Sequence, residues 1–88
     1  MRENAGYIIT QAIQIGNVEF VLGENTQDRA RYVTWECKDG NNYYWGHYTT
    51  DKLAALRDLL DRAGIELTIL ETKQELQDSK TERSIPER

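Results

Sequence analysis

TTDKLAALRDLLDRAGIELTILE, residues 49–71, is where the apolar pattern of this chain changes period, and how far the new period runs decides the fold. Leu53, Leu56, Leu60 and Ala63 recur at steps of three and four, with Leu59 beside them, as the apolar stripe of an amphipathic helix does. Thr50 reads as the N-cap, and Asp51 suits the positive end of the helix dipole. Asp51, Asp58 and Arg62 fall on the other side, and the pairs Arg57 with Asp61 and Asp58 with Arg62 are spaced i, i+4, the pattern of a solvated face.

After Gly64 two readings open. If Gly64 is a left-handed cap, Ile65, Leu67 and Ile69 alternate along a fifth strand. If the helix runs on, Ile65 and Ile69 rotate toward solvent with Leu76 on the same line. Another chain or an identical copy then has to cover residues 65–78.

Upstream the period is two. YIITQAIQI (7–15) and VEFVLG (18–23) read as strands, the second with Val18, Phe20 and Leu22 on one face, joined by Gly16-Asn17, which tolerates the positive φ of a hairpin turn. RYVTWECK and NNYYWGHY form a second pair around Asp39-Gly40. The expected architecture is α+β: a four-stranded antiparallel sheet of two hairpins, packed by one C-terminal helix, with 65–78 either a fifth strand or a helix extension. Residues 1–70 make one domain, and 71–88 are a polar tail or helix extension that has too few apolar residues for a core of its own.

The chain has 88 residues, near the lower limit for a fold held by one hydrophobic core. Its 11 basic and 15 acidic side chains give a net charge of −4. A mildly acidic surface disfavours duplex DNA. The single cysteine precludes an intrachain disulfide, and no stretch approaches the length of a membrane span or signal peptide, so a soluble cytoplasmic protein with no membrane partner is expected.

Chemistry is concentrated in WECKDGNNYYWGHY, residues 35–48, which holds both tryptophans and the one cysteine and one histidine. A thiolate activated by imidazole needs Cys37 and His47 within hydrogen-bond reach. If Lys38, Asp39 and Gly40 form the loop, Cys37 pairs with Asn41, and His47 lies opposite Arg31, roughly 20 Å away along the strand. If Asp39 and Gly40 alone form the turn, His47 lies opposite Tyr32 and faces away from Cys37. Neither register makes a dyad, and one His with one Cys is a poor start to a metal site. No catalytic residue, metal or cofactor is expected.

In the first register Trp35, Tyr43 and Trp45 fill the core, and Tyr32, Tyr44 and Tyr48 form a half-exposed stripe around Gly46. Such a stripe suits a protein partner. It also suits stacked single-stranded bases, although the nearby cations Arg29, Arg31 and Lys38 are offset by Glu24, Asp28, Glu36 and Asp39. The candidate protein-binding residues are Tyr32, Tyr44, Tyr48, Ile65, Ile69 and Leu76.

YIITQAIQIGNVEFVLGEN, YVTWECKDGNNYYWGHY and DKLAALRDLLDRA together resemble a small domain family of unknown function found on conjugative-transposon-type mobile elements of anaerobic bacteria. The resemblance covers about residues 7–63. It implies a helix that continues past position 64, and it brings no catalytic residues. It also implies an accessory role, with a nuclease or CRISPR-type defence complex as the partner of an anti-CRISPR-like inhibitor. The expected function is therefore a non-enzymatic protein-binding module, and the alternative is a single-stranded nucleic-acid binder.

Overall fold

The computed structural model describes residues 2–28 and 30–82, with side chains to residue 76. Arg29 and residues 83–88 of the polar tail therefore lie outside the described residues. The fold is α+β: one antiparallel sheet of five strands in chain order, β1 Glu3–Asn4, β2 Tyr7–Ile15, β3 Val18–Asn25, β4 Tyr32–Lys38 and β5 Asn42–Thr49, followed by the helix α1 Lys52–Glu82.

The two expected hairpins form. Ile15 pairs with Val18 around Gly16, whose φ of +60 fits a two-residue turn. In the second hairpin Asp39 and Gly40 both take positive φ, but Asn41 joins the loop and Lys38 pairs with Asn42. The loop is thus Asp39–Asn41, so neither of the two expected registers, a Lys38–Gly40 loop or an Asp39-Gly40 turn, is the one formed. The fifth strand is β1, turned back by Ala5-Gly6, and it pairs with β2 only through Tyr7 and Ile8. A two-residue polar strand has no period to read. Of the two readings of residues 65–78, strand or helix extension, the second is the one observed: α1 continues through Gly64.

α1 is capped by Asp51 rather than Thr50. The Leu53 N–H donates to Asp51 Oδ1 at 3.0 Å, and the Asp51 N–H donates to Thr49 Oγ1 at 3.1 Å. The buried seam is Ala55, Leu59 and Ala63, set on Phe20 and Leu22 with Ile13, Ile15, Val18 and Leu56 around them. Leu53 and Leu60, expected in the stripe, are exposed. The helix is turned by about one residue, or ~100°, from the expected orientation. Apolar side chains occur on both flanks, so periodicity alone left the rotation underdetermined. Alanine at two of the three seam positions lets the helix approach the sheet closely.

The other sheet face carries its own core. Tyr7, Val21, Val33, Trp35 and Cys37 are buried there, with Ile9 and Tyr43 against them. Tyr7 and Tyr43 ring centroids stand 5.7 and 5.4 Å from that of Trp35. Gly23 and Gly46 make room for this cluster: a Cβ at Gly23 would lie 2.9 Å from Tyr7 Cβ, and one at Gly46 would lie 2.8 Å from both Trp35 Nε1 and Tyr48 Cε1.

Candidate functional site

One irregularity in β5 rearranges the aromatic hairpin. Thr34 pairs with His47 and Glu36 with Tyr44, so Trp35 faces two residues, Trp45 and Gly46. This is a β-bulge, and one extra residue moves every later side chain to the opposite face. Trp45 occupies the bulge with a left-handed backbone, φ +55.

The predicted aromatic sets are therefore corrected. Trp45 is not core but 70% exposed. Its ring meets Tyr44 edge-on at 5.1 Å. Tyr48 lies on the Trp35 face, with its ring 6.3 Å from that of Trp35. Tyr44 and Tyr32 lie on the helix face, where Tyr32 packs against the seam beneath α1. The three tyrosines thus form no single stripe and no common stacking platform.

Cys37 and His47 stand on opposite faces. Cys37 is buried beside the Arg2–Glu19 ion pair, in which Arg2 Nη2 donates to Glu19 Oε2 at 2.7 Å. Burial and the Glu19 carboxylate push its thiol above the ordinary value, the reverse of an activated nucleophile. His47 instead faces α1, its Nδ1 2.9 Å from Asp58 Oδ2. The same carboxylate oxygen accepts a hydrogen bond from the Thr34 hydroxyl, and Arg62 Nη1 donates to both the Thr34 carbonyl and its Oγ1 at 3.1 Å. Asp58 and Arg62, expected on a solvated face, are thus the clamp that fixes the rotation of the helix. The buried Thr34 hydroxyl demanded partners that apolar periodicity does not encode.

Burial alone would raise the Asp58 pKa. Hydrogen bonds from Thr34 and His47, together with the neighbouring charges, outweigh burial and hold it below the usual carboxylate range. The hydrogen-bonded Arg2 guanidinium likewise lowers Glu19. A depressed acid contributes stability that is fully present above its unfolded value, about 4, and lost as pH falls through its folded value. Urea midpoints should therefore drop below about pH 4. Asp58→Ala should cost about 1–3 kcal/mol at neutral pH and flatten that acid limb. An unchanged acid slope in the variant would show that Asp58 is not responsible.

On the β5 flank of the helix a groove of about 240 Å³ opens between sheet and helix, lined by Phe20, Glu36, His47, Arg62, Ile65 and Glu66. The Tyr44 hydroxyl lies 3.5 Å from Oε1 of Glu36 in the groove wall, which sets the Tyr44–Trp45 pair beside that wall on β5. On the helix side the groove is lined by Ile65, and Ile69 and Leu76, exposed like it, continue its line along α1 as expected. Arg62 closes the floor, its guanidinium carbon 5.9 Å from the centre of the Phe20 ring. Trp45 was missed as a surface residue because the bulge leaves no period-two signal, although the adjoining glycine was a cue.

Fold and surface define a small α+β domain with an open groove between sheet and helix and an exposed aromatic pair beside it. No family model matches the chain, and searches of curated proteins and of solved structures find no match. Among the described residues no three His, Cys, Asp or Glu side chains are grouped to hold a metal, and no helix is long and apolar enough to cross a membrane.

Proposed function

We propose that the chain is a non-enzymatic protein-binding module that receives its partner in the groove between β5 and α1. The observation that carries this reading is Trp45. A bulky residue in the left-handed region costs roughly 1–2 kcal/mol against glycine, and here the strain holds a large ring in water against Tyr44, whose hydroxyl lies 3.5 Å from Glu36 of the groove wall. Tryptophan, tyrosine and arginine dominate the energetics of protein interfaces, and Trp45, Tyr44 and Arg62 supply one of each along this surface. Ile65, Ile69 and Leu76 extend it along the helix. In the setting implied by the mobile-element resemblance, the module is an accessory factor, and its partner is a nuclease or a CRISPR-type defence complex.

Trp45→Gly separates binding from folding. The substitution relieves the left-handed strain and should raise stability by about 1 kcal/mol, while a purified partner nuclease or effector retained by the immobilised chain should be lost. Ile65→Ser with Ile69→Ser should weaken the same retention. If no such protein is retained, or if it is retained equally by all three forms, the reading is wrong. Salt-steep retention of single strands instead would replace it with nucleic-acid binding.

A further inference from the structure

The opposite flank of the molecule carries a second unpartnered surface, built from two elements. Leu53, Leu60 and Leu67 are 76%, 60% and 47% exposed and recur every seven residues, forming a straight ridge on α1. Asp58 and Arg62, which reach β5 and β4, lie on the other side of the helix, so the ridge overlooks β2.

Beyond Ile9, β2 has no strand along its outer edge among the described residues. That edge, TQAIQI (10–15), has neither charge nor proline. Natural sheets guard open edges with lysines, prolines or bulges. The outer strand β5 has such a guard at Trp45-Gly46; β2 has its bulge at Thr10, between Ile9 and Gln11, and the five residues 11–15 beyond it have none.

We infer that this flank is the interface for a second copy of the chain, which pairs β2 with β2 and packs α1 against α1 about one two-fold axis. Both elements place the axis at the same level. An antiparallel β2 pair that keeps the helix-facing side chains together can centre on Ile13. Ile13 is the cross-strand neighbour of Phe20, and the Phe20 ring lies under Arg62. An axis near residue 62 of an antiparallel helix pair sets Leu60 of each copy over Gly64 of the other. Nothing lies within 4 Å of a Cβ built at Gly64, so the helix has an open notch there. In that register Leu53 and Leu67 of the other copy are offset by about 6 Å, one helical turn. Arg57 and Glu71 of the other copy have the same offset, so opposite charges meet at both ends. An isologous contact requires such self-complementarity. The groove rim at Ile65 and Ile69 stays free in the dimer.

The mass of the full chain in solution, measured by sedimentation across micromolar concentrations, tests this inference. The expected species is a dimer of about twice the 10.2 kDa chain mass. Gly64→Leu fills the notch while improving helix propensity, so it should weaken the dimer about 30-fold or more, as loss of a central interface contact does, and leave the monomer folded. Ala12→Lys with Gln14→Lys changes two exposed side chains that face each other across the proposed axis, and should dissociate the dimer by like-charge opposition. A chain that stays monomeric throughout, or a dimer untouched by both variants, overturns the inference. So does a dimer broken by Ile65→Ser with Ile69→Ser, which are the groove substitutions and should leave the mass unchanged.

Discussion

Trp35→Ala should lower stability by about 3–5 kcal/mol, the usual cost of removing a buried indole from a packed core. Trp35 is 4% exposed, and Tyr7, Tyr43 and Tyr48 pack their rings around it. Gly23 and Gly46 carry no side chain where one would strike Tyr7 or the indole. Backbone and rings are thus shaped around one group, and the cavity cannot collapse without moving two strands. A domain of this length has a total stability of roughly 4–13 kcal/mol, so the variant should be partly unfolded at ambient temperature. Far-UV circular dichroism in a urea series reads the shift, and Trp35→Phe should recover much of it. A midpoint unmoved by the alanine would mean that the cluster is not a core.

The second large effect is at the helix seam. Leu59 is 3% exposed between Ala55 and Ala63, over Phe20 and Leu22. It is the one large side chain of α1 within that buried seam, and Leu59→Ala should cost about 2–5 kcal/mol. Leu60→Ala, one residue along on the exposed ridge, should cost under about 1 kcal/mol in the monomer. The pair reads out the rotation of the helix directly. Comparable losses at 59 and 60, or a larger loss at 60, would restore the stripe expected from periodicity.

Much of the sheet is written locally. Gly16-Asn17 and Asp39-Gly40 specify turns by their tolerance of positive φ, and the alternation of Val18, Phe20 and Leu22 names the face that receives the helix. What escaped depends on single residues whose effect is not periodic. The bulge at Trp45 inserts one position into β5 and exchanges the faces of everything after it. His47 thereby meets Asp58 rather than the Trp35 side, and Tyr48 joins Trp35 rather than Tyr44. The Thr34 hydroxyl fixes which flank of α1 points inward by recruiting Asp58 and Arg62, a polar choice among several apolar ones. Of the candidate site, the Ile65–Ile69–Leu76 line was legible because helical spacing alone creates it. The groove beside it was not, because it depends on where β5 ends up.

Leu70 touches the hairpin at Gly16, and side chains from Glu71 to Leu76 are exposed as α1 continues to Glu82. A peptide of that length is a poor helix in water by itself, since starting the first turn is what costs most. Here the docked turns serve as a ready-made nucleus, and the overhang inherits its coil from them. Its end should therefore fray on warming while the aromatic core is still intact. Ellipticity and tryptophan emission should then trace different melting curves, and a single transition temperature would misdescribe this molecule.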